Sequence, residues 1–477
     1  MAVPFHFERT LPFSPESAAE VLPKFPSLPG VFALRGPRAG DEPYLTRTAD
    51  LRRRITRLLA PPESQSKRLN LRERVAGIEY TVTGSEFEST LTLYYAAAGL
   101  FGIDEARRRL RLRTPFFLRF TAENAYPRVY STNRLSKRAL ENMYGPFPSR
   151  AAADRYCDAV LDLFKLRRCW EDLAPYPEHP GCVYGEMNKC LAPCNQACTP
   201  VGASTYAAEA AAVKRFFDTH GESMVVDIGL EREEASAAME FEKAAALHTQ
   251  WHKVKAAQAP ADELVQPVLK LRAVIVQKAT PEGGVPVTEA EPAVAVFLLE
   301  AGCLAGPARL SVLGVRAVKE QTSVGSSLFA QPLMLQAVPL EAGDVTAMEP
   351  TPAESPEVRA AGVLASLEEQ MSASTDMGTL SDHLSLLRRW YYRPEKQRAG
   401  EVFFPNADGS WPLRRILRGA ARMALGEPAP MAETQRELAE RNPADAPERP
   451  AKSRRLATGA ADTLPPADSR AEGSEDT

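Results

Sequence analysis

Five of the seven cysteines in this chain fall between positions 169 and 198. The core pattern is Cys169, twelve residues, Cys182, seven residues, Cys190, three residues, Cys194, with Cys198 as a spare. Thiolates neutralise the charge of iron or zinc, and four of them meeting at one centre would tie together a loop with little core of its own. Spacing alone does not choose the metal, because four-cysteine sets serve both structural zinc and iron–sulfur clusters, and the CxxC knuckle of zinc ribbons is absent. Ordinary buried thiols are the competing reading here, and the favoured one for the isolated Cys157 and Cys303. No apolar run approaches the roughly 18 residues that span a bilayer, and the first residues lack the features of a signal peptide. A cytoplasmic location without membrane contact is therefore expected, and disulfides are disfavoured there.

A second chemistry-bearing pattern is charge. Residues 1–150 carry 24 Lys and Arg against 15 Asp and Glu, whereas the remainder carries 34 against 46. A basic module inside a chain of net charge −3 suggests a local polyanion-binding surface, with solvated helix faces as the alternative. The densest stretch, 107–138, holds Arg107, Arg109, Arg111 and Arg128 interleaved with Phe116, Phe117, Phe120, Tyr126 and Tyr130. Cationic and aromatic side chains in alternation suit phosphate contact with base stacking, although the aromatics would serve equally as the inner face of strands.

The elements that must position these groups are legible as periodicities. A length of 477 residues, 44% hydrophobic and 25% charged, with mean hydropathy of −0.27, predicts two to four folded units of a soluble protein. Residues 27–60 read as strand, turn, strand and helix, with the helix capped near Thr48 or Asp50. A strand at 78–82 leads to a helix from about Ser85, where Phe87, Leu91, Tyr94 and Tyr95 recur at helical spacing. Helices at 150–165 and 203–218 flank the cysteines, and 231–255 is strongly helical. Strands are expected at 268–276, 294–299 and 333–338, a linker at 342–356, helices at 382–392 and 412–425, and a disordered tail beyond. His383, in a helical pattern beside Leu384, Leu386 and Leu387, is expected to be a surface or core histidine rather than a catalytic one.

The segment RRCWEDLAPYPEHPGCVYGEMNKCLAPC, 167–194, resembles the cysteine region of the UvrC excinuclease family. YGPFPS at 144–149 and YPRVY at 126–130 are similar to two further segments of that family. Residues 233–245 resemble its UVR motif, a helical hairpin that pairs with UvrB. The resemblance implies a [4Fe-4S] cluster on Cys169, Cys182, Cys190 and Cys194, with zinc as the alternative. It also implies DNA and UvrB as partners, the latter through Ala235, Met239, Phe241, Lys243 and Ala245. An internal antiparallel helix pair is the competing reading of the hairpin.

The N-terminus resembles a GIY-YIG nuclease domain, whose chemistry uses a tyrosine, cations that stabilise the phosphorane, and a glutamate holding one divalent metal. Here Pro29-Gly30-Val31-Phe32 matches the first half with phenylalanine for tyrosine, and Tyr44-Leu45-Thr46-Arg47 keeps a tyrosine and a cation but loses the glycine. Arg54 falls on the family's catalytic arginine. The family's S-E-x-E-A-L-L-L-E aligns with 85–93 and puts Leu93 where the carboxylate belongs. A leucine cannot ligate a hard cation, and Glu88, five residues earlier, faces about 140° away on a helix.

The reading is therefore an α+β multidomain protein. Residues 1–26 form an extension, 27–106 a degenerate GIY-YIG-like domain, 107–225 the basic, aromatic and cysteine-rich region, and 226–260 the UVR hairpin. A mixed β/α C-terminal domain follows, β-rich over 264–341 and helical over 357–426, then the tail, 427–477. Its expected role is a nucleotide-excision-repair protein that binds damaged DNA and UvrB. Tyr44, Arg47 and Arg54 would be catalytic remnants, and Arg52, Arg107, Arg109, Arg111 and Arg128 would grip DNA. The alternatives are an active 3′-side incision enzyme using Mg or Mn with altered ligation, and a metal-stabilised interaction module outside repair. No RNase H-like or helix-hairpin-helix part is recognised.

Overall fold

The computed structural model describes residues 5–38, 40–61, 69–280, 292–315, 355–371, 376–394 and 397–425. The expected strand at 333–338 and tail at 427–477 lie outside the described residues, as does the linker at 342–356 except for its last two residues.

Strand β1 (Arg9–Pro12) and the short helix α1 (Ala18–Val21) precede β2 (Gly30–Arg35), β3 (Tyr44–Thr48), helix α2 (Leu51–Leu59) and β4 (Gly77–Val82). These strands make an antiparallel sheet in the order β1-β4-β2-β3. Gly30 is required at its start, because a Cβ there would meet the Thr81 carbonyl oxygen at 2.5 Å. Asp50 caps α2 by accepting from the Arg53 N–H. Ser85 caps α3 (Glu86–Phe101) by accepting from the Glu88 N–H. Helix α4 (Ile103–Leu110) follows after Gly102, which takes φ of 85°.

Strands β5 (Phe116–Phe120), β6 (Val129–Thr132) and β7 (Met143–Phe147) lead into α5 (Arg150–Leu161). The cysteine segment contains only the single-turn helices α6 (Val183–Glu186) and α7 (Pro193–Gln196) before α8 (Pro200–Asp218). Helices α9 (Glu222–Ala237) and α10 (Phe241–Gln258) form an antiparallel hairpin turning at Met239, whose φ is 59°. The chain returns as β8 (Gln266–Pro267), which completes the sheet β6-β5-β7-β8. The inner sides of Phe120, Tyr144 and Phe147 pack with Tyr156, Tyr206 and Phe217 in one core. The aromatics of the basic stretch thus serve the strand interior in the main: Phe117 and Phe120 are buried, Phe116 and Tyr126 partly so.

Strands β9 (Arg272–Lys278), β10 (Ala293–Glu300) and β11 (Cys303–Ser311), helices α11 (Pro356–Gln370) and α12 (Met377–Tyr391), strand β12 (Glu401–Phe403) and helix α13 (Leu413–Leu425) build the third sheet and its cover. The sheet order is β11-β10-β9-β12. Ala301 and Gly302, at φ of 46° and 79°, form the two-residue turn of the β10–β11 hairpin. Strand β11 was not expected from the sequence. Pro307 interrupts its pattern, which the sheet tolerates because β11 lies at the edge of the sheet among the described residues.

One face of this sheet packs on α11 and α13. Ile275 and Phe297, on its other face, share a core with Phe87, Leu91 and Tyr94 of α3 and with Leu384 and Trp390 of α12. Helix α3 is thereby held between the N-terminal sheet and an element almost 300 residues further along.

Candidate functional site

The cysteine segment is fastened to the β5–β6 hairpin by polar side chains rather than by a core of its own. Buried Arg167 donates through Nε to the Tyr126 carbonyl at 3.0 Å and through Nη1 to the Glu171 carbonyl at 2.9 Å, and the same Nη1 stands 3.7 Å from the Cys169 sulfur. Arg128 donates to the Cys169 carbonyl at 3.0 Å and lies over the ring of Trp170. Tyr206 donates to the Pro127 carbonyl at 2.7 Å.

Within this frame Cys190 and Cys194 are buried, Cys169 and Cys182 half-buried, and Cys198 exposed. Burial pushes the Cys190 thiol up to about 11, and its neighbours Cys182, Cys169 and Cys194 push in the same direction. Cys194 is raised by burial and then by Cys182. Among the described residues, no three His, Cys, Asp or Glu side chains stand close enough to hold a single ion. Cys157 and Cys303 are core thiols, and burial raises Cys157 to about 12.

The second site lies where α3 faces β3 and α12. Leu93 lines a cleft of about 330 Å³ together with Thr46, Arg47, Thr90, Arg109 and Arg389, and none of its lining residues is a carboxylate. Arg47 donates to Glu86 at 2.9 Å, and Arg393 donates to the same carboxylate at 2.6 and 3.0 Å. The Arg393 guanidinium above all, with Arg47, holds Glu86 down to about 2. Arg389 is fixed across the cleft by donation to the Leu110 carbonyl at 2.7 Å and to the Arg111 carbonyl.

Tyr44 and Arg54 meet each other, with Arg54 donating to the tyrosine oxygen at 3.1 Å, but they do not line the cleft that Leu93 and Arg47 share. Glu88 points elsewhere. It accepts from the Gly84 N–H at 2.8 Å, and burial pushes it up to about 7.

The basic residues divide into committed and open ones. Arg52 donates to the Phe25 carbonyl at 2.6 Å, and Arg107 to Asp382 at 2.8 Å and Asp104 at 3.0 Å. Arg109 pairs with Glu105 and Glu42 and covers the ring of Phe101, whereas Arg111 is exposed. On the hairpin, Ala235 is turned into the core, while Met239 and Phe241 are 75% and 70% exposed and Lys243 and Ala245 are also on the surface.

Sequence reasoning missed the arginines of α12 and beyond, Arg389 and Arg393, because nothing local ties them to a strand more than 300 residues away. It also passed over Asp382, which accepts from Tyr94 at 2.9 Å in the shared core. His383 is a core histidine: its Nδ1 accepts from the Leu304 N–H at 3.1 Å, and burial lowers it to about 4. Among the described residues, no helix is long and apolar enough to cross a membrane.

Among the described residues, three antiparallel sheets, a cysteine-rich segment latched to the middle one and a helical hairpin define a mixed α/β protein of several cores. Residues 116–216 match the family described as UvrC/Cho excinuclease, middle domain. The "UvrABC system protein C" of Desulforudis audaxviator is 28% identical over 240 residues, covering 50% of this chain and 37% of that protein. The corresponding proteins of Haloarcula marismortui and Alcanivorax borkumensis are 29% identical over 252 residues and 28% over 230, covering 50% and 48% of this chain and 40% and 37% of theirs. No solved structure matches. The chain is similar to the UvrC excinuclease family, sharing with these relatives about half its own length and well under half of theirs.

Proposed function

We propose that this chain acts in nucleotide-excision repair as a UvrC-like protein that binds DNA and a UvrB partner, with a nuclease-type site that does not cut. The observation that carries the reading is the environment of Leu93. The strand pair β2–β3 followed by α3 supports a degenerate GIY-YIG-like domain, and the face of α3 where that chemistry needs a metal-holding carboxylate presents Leu93 among three arginines. Glu86, nearby, is neutralised by Arg47 and Arg393. Leu93 offers no oxygen to Mg or Mn, so the cleft favours docking over hydrolysis.

The cysteine set supports an iron–sulfur centre held by Cys169, Cys182, Cys190 and Cys194. Cys190 and Cys194 are buried and Cys169 and Cys182 half-buried on the same latched segment, which supports a shared metal centre, with zinc as the alternative. When bound, the cluster would supply a rigid tie across a segment built from single-turn helices. The outward Met239 and Phe241 at the hairpin turn support the partner role.

The test combines purified protein, UvrB-loaded lesion duplex and Mg or Mn. Salt-sensitive binding without nicks is the expected result. Nicking that Tyr44→Phe abolishes would establish the incision reading instead, and absence of both DNA and UvrB association would remove the repair assignment. For the centre, brown protein whose broad visible band is lost in Cys190→Ser is expected; colourless protein with stoichiometric zinc would reject the cluster.

A further inference from the structure

The outer surface of α10 carries a feature that neither the cysteine centre nor the cleft uses. His248 and His252 are both exposed and stand on consecutive turns, with their Nε2 atoms 3.1 Å apart. We infer that this pair is a two-ligand site for a borderline divalent transition ion of the Ni(II), Cu(II) or Zn(II) class.

Imidazole nitrogens bind such ions at about 2.1 Å, and two nitrogens 3.1 Å apart then subtend about 95° at the metal, the angle of adjacent positions in octahedral or square coordination. Helix geometry presets the spacing, since residues four apart lie on one face. Leu247 and Val254 of the same helix are buried, so the platform is anchored. Both rings are exposed and therefore free of packing that would stop them turning toward a shared ion.

Without metal, the Nε2–H of one ring donates to Nε2 of the other. Binding moves that proton to Nδ1 of the same ring, so the exchange needs no net proton loss. The Arg232 Nη1 atom, 3.5 Å from His248 Nδ1, opposes this tautomer. It is a half-exposed side chain that also lies 4.0 Å from Glu233. Among the described residues, no third donor joins the pair, so the remaining positions are open to water or to a side chain of a partner seated on the hairpin.

Trp251 supplies the readout. The His248 ring lies parallel to its indole within 6°, at a centroid distance of 6.4 Å, and the His252 ring meets it edge-on at 5.1 Å. A paramagnetic ion on the pair therefore quenches Trp251 emission. The experiment titrates Ni(II) into the full chain, into His248→Gln and into His252→Gln, following tryptophan emission and bound metal by equilibrium dialysis. All three proteins keep the cysteine set, so its metal uptake cancels.

The wild type is expected to hold one more Ni(II) per chain than either variant, with a quench midpoint at least roughly tenfold lower, since even outer-shell changes cost that much. Arg232→Gln, which supplies an acceptor for the His248 Nδ1–H, is expected to tighten binding. Cu(II) should bind more tightly than Ni(II), and Mg(II) should leave the emission unchanged. Equal stoichiometry and equal quench in the wild type and both histidine variants would overturn the assignment.

Discussion

Arg393 clasps Glu86 from beyond the end of α12, donating to both of its carboxylate oxygens at 2.6 and 3.0 Å. A carboxylate beside the nuclease-type cleft is thereby spent on an ion pair with the C-terminal half of the chain. Glu86 ordinarily titrates near 4.5 and is held to about 2, so its contribution is present above pH 4.5 and is lost as the pH falls toward 2. The pair is partly solvent-exposed, which limits its worth. Arg393→Ala is expected to cost about 0.5–1 kcal/mol at pH 7 in urea unfolding, the upper range for screened pairs. That difference from wild type should shrink below pH 4.5, and a difference that persists unchanged to pH 2 would show that Arg393 acts through packing instead.

Asp382 fastens α12 to α3 and α4. It accepts from the Tyr94 hydroxyl at 2.9 Å and from Arg107 Nε at 2.8 and 3.1 Å, and is itself buried. Asp382→Ala leaves a buried hydroxyl and a half-buried guanidinium without their acceptor, a loss of about 3 kcal/mol. Tyr94→Phe removes only one neutral donor and should cost about 1 kcal/mol. Denaturant midpoints measure both. A smaller loss in Asp382→Ala than in Tyr94→Phe would sink the idea that the carboxylate organises the junction.

His383, the next residue, must stay neutral. Burial lowers it to about 4 from an ordinary 6.5, so the stabilisation of its neutral form is complete above pH 6.5 and is lost as the pH falls through 4. The swing is at most about 3 kcal/mol by the size of the shift. His383→Gln keeps an acceptor for the Leu304 N–H and has nothing to titrate. Its stability profile should be flatter than wild type between pH 6.5 and 4. Parallel profiles would place the acid sensitivity in another group.

What the sequence discloses and what it hides follow from the range of each interaction. The Asp50 cap and the helical repeat of α3 from about Ser85 are local, and the structure realises each. The spacing of His248 and His252 was equally visible, but a two-residue pattern stands out only once the helix is known to expose it. The contacts that define the junction are not local. Tyr94 and Asp382 are 288 residues apart, Glu86 and Arg393 are 307 apart, and no periodicity encodes such partners. Pro307 concealed β11 because its strand character depends on edge position, a property of the sheet rather than of the segment.

The hairpin turn carries the remaining prediction. Met239 and Phe241 flank the α9–α10 turn with most of their surface in water, whereas Ala235 and Leu247 are packed inward. Isolated exposed apolar residues are ordinary, but Val226 and Leu230 of α9 are also more than half exposed, so the hairpin presents several large apolar groups at once. If a partner hairpin covers them, an aromatic such as Phe241 should carry a disproportionate share of the affinity. Phe241→Asp is expected to weaken UvrB association by about 30-fold or more, the equivalent of about 2 kcal/mol. Ala245→Ser, on the same surface but with little area to lose, should change it less than threefold. Both substitutions lie outside the core, so thermal unfolding should be unchanged within about 0.5 kcal/mol. Surface plasmon resonance on the full chain reads the affinities. Equal binding by wild type and Phe241→Asp would move the interface off this turn, leaving the exposed groups to a different partner.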